Sequence, residues 1–285
     1  MTPVELRGGI WWKREDLYRI EPSGVNGSKL RACQHLMSLA GDDIMSVVSA
    51  SSVLSPQAAM AGVVAQELGL ECEIIVGATT PDKAVKHKSV AIAVEAGATV
   101  RCVPVAYNTY LQKQALEAAL QPGVWRLPYG ITTPAEAPLG DVEAFLRVGG
   151  EQVANLPDEV ETLVVPFGSA NTACGVLYGL HDHRPANLSK IILMEIGPSR
   201  REWARERLES VGRAPESLPG VEIEYVTLHE VWASYGDKMP ETMEEIVFHP
   251  TYEGKMIRWL NLVQPEWWMR RDGTTCFWIV GGPIG

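Results

Sequence analysis

Four short segments of the chain combine residue types that could do chemistry. The first is NGSK at 26–29, in which a glycine-rich polar turn delivers Lys29 to the start of a helical stretch. Burial and the positive end of a helix dipole both disfavour an ammonium group, so a lysine placed there has a lowered pKa and can attack an aldehyde as a neutral amine. The alternative is a surface lysine beside an N-cap Ser28. Local sequence alone leaves these two possibilities open.

The second segment is PFGSANTACGVLYGL at 166–180, a small-residue loop between a predicted strand and a predicted helix. The N–H groups of a helix's first turn point at an anion bound there, and small side chains let the backbone approach it. Ser169, Asn171 and Thr172 could add side-chain donors, or could simply cap the helix. The loop is a candidate phosphate site, although it fits neither GxxxxGK[ST] nor GxGxxG.

The third segment is SASSVLSPQAAMAG at 49–62, another strand-to-helix turn that is rich in hydroxyl groups. Ser52, Ser55 and Gln57 could bind a carboxylate at the start of the helix. Simple capping of the helix would use the same residue types.

The fourth segment is TYEGK at 251–255, which brings a phenol, a carboxylate and a lysine together just before a predicted helix. Tyr252 could act as an acid or base, with Glu253 as an electrostatic partner. Alternatively, the two residues merely begin the helix.

The elements that must position these segments alternate along the chain from residue 45 onward, which is typical of an α/β protein with mainly parallel sheets. The predicted strands cover 45–50, 71–77, 99–104, 162–167, 190–196 and 275–280. The predicted helices cover 57–69, 82–97, 108–120, 140–154, 171–182, 199–211 and 253–263. We predict two lobes, a large domain from 1–40 and 126–285 and a smaller inserted α/β domain from 41–125.

Composition is that of an ordinary globular protein, with 46% hydrophobic and 21% charged residues among 285. No apolar run approaches the roughly 18 residues of a membrane span, so no membrane association is expected. The N-terminal sequence lacks the features of a signal peptide, and we expect a cytoplasmic protein. A formal net charge of −10 disfavours binding to nucleic acid.

Cysteines and histidines do not indicate a metal site or a disulfide framework. The five cysteines are scattered, odd in number and without CxxC spacing, so we expect reduced core thiols. The six histidines have no shared metal-ligand spacing, and no metal is expected. The tryptophan pairs at 11–12 and 267–268 are predicted to be core or interface anchors.

The order of the four segments resembles that of the fold type II, tryptophan synthase β-like, pyridoxal-phosphate (PLP) enzymes. The resemblance spans nearly the whole chain and is closest to the aminocyclopropane-carboxylate (ACC) deaminase and D-cysteine desulfhydrase branch. The motifs that resemble this branch are KRED at 13–16, GSKLR at 27–31, SVLSPQ at 52–57, YGITTPAEAPLG at 129–140, GSANTACG at 168–175 and YEGK at 252–255. The resemblance implies two lobes with twisted, mainly parallel sheets flanked by helices, PLP in the cleft between them, and a homodimer.

The resemblance also implies roles for individual residues. Lys29 would hold PLP as a Schiff base and move protons, so that Lys29, Tyr252 and Glu253 form the catalytic set. Glu253 would face the pyridine nitrogen, where a carboxylate keeps the ring protonated and makes it a strong electron sink. The cofactor phosphate would be bound by Gly168, Ser169, Ala170, Asn171 and Thr172. The substrate would be bound by Ser52, Ser55, Gln57 and Tyr252.

The activity that the resemblance implies is that of a PLP-dependent lyase or deaminase of amino acid metabolism, acting on a small amino acid through a Cα carbanion or quinonoid. The chain departs from the branch in being shorter, in having Pro56 where an asparagine is usual, and in having Ala170 and Asn171 where glycine and a hydroxyl residue are usual. A second hypothesis is a PLP-dependent decarboxylase or eliminating enzyme whose substrate amino acid is attached to a larger molecule, such as a modified nucleotide or DNA base. Nucleic acid would then enter only as a carrier of the substrate. A third is a non-catalytic protein that binds PLP or an amino acid.

Overall fold

The computed structural model describes residues 1–228 and 237–283. Its described residues form two compact units. Unit 1 comprises Met1–Tyr18, Asn26–Lys29 and Ala137–Pro283, and unit 2 comprises Arg19–Val25 and Leu30–Glu136. The predicted limits of the smaller lobe, 41 and 125, fall inside unit 2, and the domain boundaries themselves stay a prediction.

Strands and helices alternate through most of the chain. The strands are β1 Val4–Arg7, β2 Ile10–Arg14, β3 Arg19–Ile20, β4 Val25–Asn26, β5 Ser46–Ala50, β6 Glu71–Gly77, β7 Thr99–Val103, β8 Val124–Leu127, β9 Thr162–Phe167, β10 Lys190–Glu195, β11 Glu222–Thr227, β12 Thr242–Met243, β13 Ile246–Val247 and β14 Thr275–Ile279. The α-helices are α1 Ser28–Ser38, α2 Gln57–Leu68, α3 Pro81–Ala84, α4 Lys88–Glu95, α5 Asn108–Ala118, α6 Leu139–Gly150, α7 Asn171–Leu180, α8 Arg201–Ser210, α9 Glu253–Val263 and α10 Glu266–Arg270.

Unit 1 is built on a six-stranded sheet with the order β1-β2-β14-β9-β10-β11. The β1–β2 pair is antiparallel, and the other neighbours are parallel. The last strand in the chain, β14, lies in the middle of the sheet, where Phe277 is in register with both Trp12 and Val164. Every residue of β9 is buried, as expected for a central parallel strand covered on both faces.

Aromatic side chains form much of the core of unit 1. Trp12 and Trp268, one from each tryptophan pair, are buried and meet edge to face with ring centroids 6.4 Å apart. Phe277 packs against both rings, and Phe248 packs against Trp12. Such rings bury large areas, and their edge-to-face contacts add about 0.5–1.5 kcal/mol per pair.

The KRED segment supports unit 1 through buried polar contacts. Lys13 is fully buried, and its Nζ donates to Thr2 O at 2.9 Å and to Asn155 Oδ1 at 2.6 Å. The Glu15 carboxylate accepts a hydrogen bond from the Thr2 hydroxyl at 2.7 Å. Buried charges need such partners, so these residues stabilise the end of β2.

Unit 2 contains a parallel four-stranded sheet with the order β7-β6-β5-β8. Val48 and Ile75 pack against Leu111 and Ala115 of α5. Helix α2 packs closely on α4, because Gly62 lets its backbone approach Ala93. The α/β class with parallel sheets flanked by helices, predicted from the sequence, is confirmed.

All six predicted strands are present, whereas two predicted helices differ from the structure. The predicted helix 82–97 is divided into α3 and α4, because His87 adopts an extended conformation between them. The predicted helix 140–154 ends as α-helix at Gly150 and continues as a 3-10 turn over Glu151–Asn155. Among the described residues, the prediction missed the strands β1, β2, β3, β4, β8, β11, β12 and β13 and the short helix α10.

Four cysteines are buried, Cys102 is partly exposed, and all five are free thiols. Among the described residues, no helix has the length and apolar character needed to cross a membrane.

Candidate active site

The candidate site in unit 1 lies where the adjacent parallel strands β9 and β14 end. The chain leaves β9 through α7 toward β10, on the side away from β14, so this connection does not cross the carboxyl ends of β9 and β14. Open α/β sheets bind ligands beside the carboxyl ends of the strands. Val280 follows β14 there, donating its N–H to Glu253 Oε1 at 2.6 Å and accepting the Ser28 N–H at 2.8 Å. Three of the four sequence segments therefore meet in unit 1.

Lys29 is held at the start of α1 by its two preceding residues. Gly27 has φ +99°, and a Cβ at this position would lie 2.5 Å from Val280 O, so the close approach requires glycine. The hydroxyl of Ser28 is hydrogen-bonded to the Thr172 hydroxyl at 2.8 Å and donates to Val280 O at 3.2 Å. These contacts hold Ser28, the residue before Lys29, against the first turn of α7.

The Lys29 amine is desolvated, although part of the residue's surface is accessible. Burial lowers the pKa of Lys29 because a charged amine loses hydration. Within the part of the chain that the structure describes, the amine has no hydrogen bond or ion pair. These are the properties of an amine that can react with a carbonyl group.

The loop 168–172 connects β9 to α7 and has the features of an anion site. Ala170 caps α7 with a left-handed conformation, φ 66° and ψ −9°. An alanine in this conformation costs about 1 kcal/mol relative to glycine. The cap turns the loop so that the first turn of α7, including the hydroxyl residue Thr172, begins directly beside Ser28. The positive end of α7 and its N–H groups favour an anion at this position.

Glu253 is fully buried at the start of α9. Its Oε1 accepts the Val280 N–H, whereas Oε2 is buried and has no hydrogen-bond partner among the described residues. Desolvation raises the pKa of Glu253 to about 8. A buried oxygen of this kind can accept a hydrogen bond from a ligand N–H group, and its carboxylate form would stabilise a positive charge there.

Tyr252 precedes Glu253 and lies beside the phosphate-type loop. A Cβ added to Gly168 would be 3.6 Å from Tyr252 Cε1, which is ordinary van der Waals contact. The Tyr252 ring also contacts His249, with ring centroids 4.8 Å apart and an angle of 41° between the planes. His249 was not among the predicted site residues, because the six scattered histidines show no spacing that distinguishes this one.

The turn in unit 2 that was predicted to bind a carboxylate follows the carboxyl end of β5. Ser52 Oγ accepts the Leu54 N–H at 3.3 Å, and Ser55 Oγ accepts the Gln57 N–H at 3.2 Å. Ser89 donates its hydroxyl to Ser55 O at 2.6 Å. Both predicted hydroxyl groups thus make local capping contacts, and their role toward a substrate stays a prediction.

Gln57 is buried and fully engaged in unit 2. Its Nε2 donates to Ser49 Oγ at 3.1 Å and to Pro128 O at 3.3 Å, while its Oε1 accepts the Gly130 N–H at 2.9 Å. Both amide hydrogens have partners, so the geometry supports a structural role that ties 128–130 to the turn. The proposed contact of Gln57 with a substrate is untested.

A cavity of about 690 Å³ lies in unit 2, at the edge of the sheet where its parallel strands begin. It is lined by the amino ends of the strands, among them Ser46, Glu71, Thr99 and Val124. Ligands of open parallel sheets bind at the carboxyl ends instead, so this cavity is not the candidate active site.

The family model described as "Pyridoxal-phosphate dependent enzyme" matches residues 2–241. The chain belongs to this family. Its cofactor is therefore PLP, and the family predicted from the sequence is confirmed.

One curated relative is the "O-seryl-dTMP PLP-dependent decarboxylase" of Salmonella phage ViI. It is 29% identical over 349 aligned positions, which cover 98% of this chain and 81% of that protein. Among solved structures, an ACC deaminase homologue has a TM-score of 0.69 and 21% identity, covering 99% of this chain and 89% of its own. Threonine deaminase isoform 2 from Solanum lycopersicum has a TM-score of 0.64 and 17% identity, covering 100% of this chain and 84% of its own. These two structures share the fold.

The residues of unit 1 fit PLP. Lys29 offers a desolvated amine for the aldehyde, and the loop 168–172 offers an anion site for the phosphate. The unpartnered Oε2 of Glu253 offers an acceptor for a protonated ring nitrogen. The aldehyde, the phosphate and the ring nitrogen of the cofactor thus each have a chemically matched residue type in unit 1.

Proposed function

We propose that the protein is a PLP-dependent decarboxylase that acts on an amino acid attached to a nucleotide, with Lys29 as the cofactor lysine. The observation that supports the assignment of Lys29 most strongly is the hydrogen bonding of Ser28 to both Thr172 and Val280. If Ser28 only capped a helix beside a surface lysine, its hydroxyl would not be expected to bond both the anion-binding turn of α7 and the end of the central strand β14.

The similarity to the phage decarboxylase supports the reaction and the substrate class. It extends over 98% of this chain at 29% identity. The likeness to the deaminases, at 21% and 17% identity, is evidence for the fold alone. This difference favours the second sequence hypothesis over the first, and Pro56 is consistent with a pocket that differs from that of the deaminase branch.

The proposed reaction breaks the bond between Cα and the carboxylate, releases CO2 and adds a proton at Cα. PLP, when bound, accepts the electron pair that the departing CO2 leaves at Cα. Glu253 would favour this by holding its carboxylate against the ring nitrogen. The Lys29 amine would serve as a proton donor or acceptor for Cα, and Tyr252 would be a second proton donor beside the loop 168–172.

The assignment of Lys29 is tested by covalent labelling. The protein is incubated with PLP, reduced with borohydride, digested and analysed by mass spectrometry. We expect the cofactor on Lys29, a visible absorbance band before reduction, and loss of both in Lys29→Ala. Lys88→Ala is the matched control, because Lys88 also begins a helix but is exposed. A protein that stays colourless with PLP, or that is labelled elsewhere, would contradict the assignment.

The reaction is tested with O-seryl-dTMP and with free amino acids. We expect CO2 release and a matching loss of mass from the nucleotide-linked serine, with no ammonia or keto acid from L-serine, D-cysteine or ACC.

The second candidate function is that of a lyase or deaminase that acts on a small free amino acid. The Tyr252 phenol beside Gly168 would suit this reaction as a proton donor. Ammonia and keto acid from free amino acids, without CO2 from the nucleotide, would favour that candidate and refute decarboxylation.

A further inference from the structure

The turn that precedes α9 is organised by His249. Its carbonyl oxygen accepts the N–H groups of Tyr252 at 3.2 Å and Gly254 at 3.0 Å. Its ring Nδ1 accepts the Thr251 N–H at 3.2 Å. A side-chain acceptor that bonds the N–H two residues later is usual for asparagine and aspartate turns, and here an imidazole supplies it.

The contact with the Thr251 N–H also determines the tautomer of His249. An Nδ1 that accepts a hydrogen bond has no proton, so the proton of the neutral ring is on Nε2. Desolvation, together with the nearby lysines Lys238 and Lys29, lowers the pKa of His249 to about 4. The ring is therefore neutral near pH 7, and the turn keeps its acceptor.

The same ring holds Tyr252. The two ring centroids lie 4.8 Å apart, and the phenol ring also lies beside Gly168 of the phosphate-type loop and against the core of unit 1. His249 thus fixes the backbone of the turn through Nδ1 and its carbonyl oxygen, and it fixes the side chain of Tyr252 through the ring contact.

We propose that His249 is a positioning residue that holds the Tyr252 phenol in place beside the loop 168–172. The inference rests on the proposed role of Tyr252 in proton transfer. It predicts that His249 influences the reaction through the Tyr252 hydroxyl and not through a contact of its own with the substrate.

Three variants separate the two functions of the imidazole. His249→Asn keeps an acceptor for the Thr251 N–H but removes the ring, His249→Phe keeps a ring but removes the acceptor, and His249→Ala removes both. The first readout is amide hydrogen exchange of the peptide 249–255 in cofactor-free protein. We expect faster exchange in the Phe and Ala variants and retained protection in the Asn variant. Unchanged exchange in His249→Ala would overturn the proposal. His87→Asn is the control, because His87 also precedes a helix but lies in unit 2.

The second readout is a double-mutant cycle with Tyr252→Phe, measured on the substrate that the enzyme turns over. We expect His249→Ala to lower kcat about tenfold or more with little change in KM, because a small displacement of a catalytic group is costly. In the Tyr252→Phe background the same change should alter kcat less than about twofold, since the hydroxyl it positions is gone. Independent, multiplying effects, or an unchanged kcat in His249→Ala, would refute positioning and indicate a direct role for Nε2 or none.

A failure of the proposed function has a different signature from a failure of this inference. If the wild-type protein does not bind PLP, the cofactor role of Lys29 is refuted. Amide hydrogen exchange of the cofactor-free protein would still test whether His249 holds the turn before α9.

Discussion

Replacing Glu253 with glutamine should remove a pH-dependent destabilisation from the cofactor-free protein. The carboxyl group is fully buried, and its pKa rises from an ordinary 4.5 to about 8. Between these values the folded protein binds a proton that the unfolded chain releases, so the free energy of unfolding falls as the pH rises through this window. Glutamine has no proton to lose and should abolish this dependence.

The magnitude follows from the shift. Each pKa unit corresponds to about 1.36 kcal/mol, so the full window amounts to about 5 kcal/mol. Between about pH 5.5 and about pH 8.5, the part that titrates is about 3 kcal/mol. Relative to the wild type, Glu253→Gln should therefore gain about 3 kcal/mol in unfolding free energy across this interval.

The assay is urea unfolding of the cofactor-free wild type and variant at both pH values, monitored by tryptophan fluorescence. Glu266→Gln is the matched control, because Glu266 also begins a helix but is exposed, so this variant makes the same change of residue type without a buried carboxyl group. Loading with PLP should shrink the Glu253 effect, since a protonated ring nitrogen would stabilise the carboxylate. An equal pH dependence in the wild type and Glu253→Gln would refute the reasoning that Glu253 is a buried, proton-holding group.

Three further substitutions test other parts of the structure. Thr172→Val removes the hydroxyl contact to Ser28 and should cost about 1 kcal/mol of stability and weaken PLP binding, as measured by titration of the visible band. Gln57→Leu leaves the groups it now bonds without partners and should lower the urea-unfolding free energy by about 2–4 kcal/mol; a change below about 0.5 kcal/mol would contradict its structural role. Gly179→Ala would place a methyl group into the backbone of α6 and should cost about 3 kcal/mol or prevent folding, whereas Gly140→Ala, which meets open space, should be neutral by thermal denaturation.

Sequence patterns predicted the buried parallel strands well, because such strands are continuous apolar runs. The run at 162–167 is an example, since it has no charged residue and every side chain is buried. Strand β2 was missed for the opposite reason. Its Lys13 is charged and yet buried, and the partner that makes this possible, Asn155, is 142 positions away. No local pattern contains that information.

The residues of the candidate site likewise divide into those that local sequence indicates and those whose contacts are distant in sequence. Lys29 and the loop 168–172 became candidates because glycine, small residues and a lysine at helix starts have recognisable local chemistry. Their roles came from the family resemblance and stay predictions. Gln57 was assigned to substrate binding, whereas its contacts with Ser49, Pro128 and Gly130 satisfy its amide within unit 2. His249 was missed because the role proposed for it depends on a ring contact and a tautomer. Both depend on three-dimensional contacts of side chains, which spacing does not specify.

The position of β14 in the middle of the unit 1 sheet has a consequence for how the protein is made. The hairpin β1–β2 is translated more than 250 residues before β14, its parallel neighbour in the sheet. Until then the sheet has an open strand edge on β2 and another on β9, and such edges invite pairing with other chains. Contacts this distant in sequence also slow folding. The sheet of unit 1 is therefore incomplete until β14 has been made, and incomplete chains should depend on chaperones or low synthesis temperature more than the finished protein does.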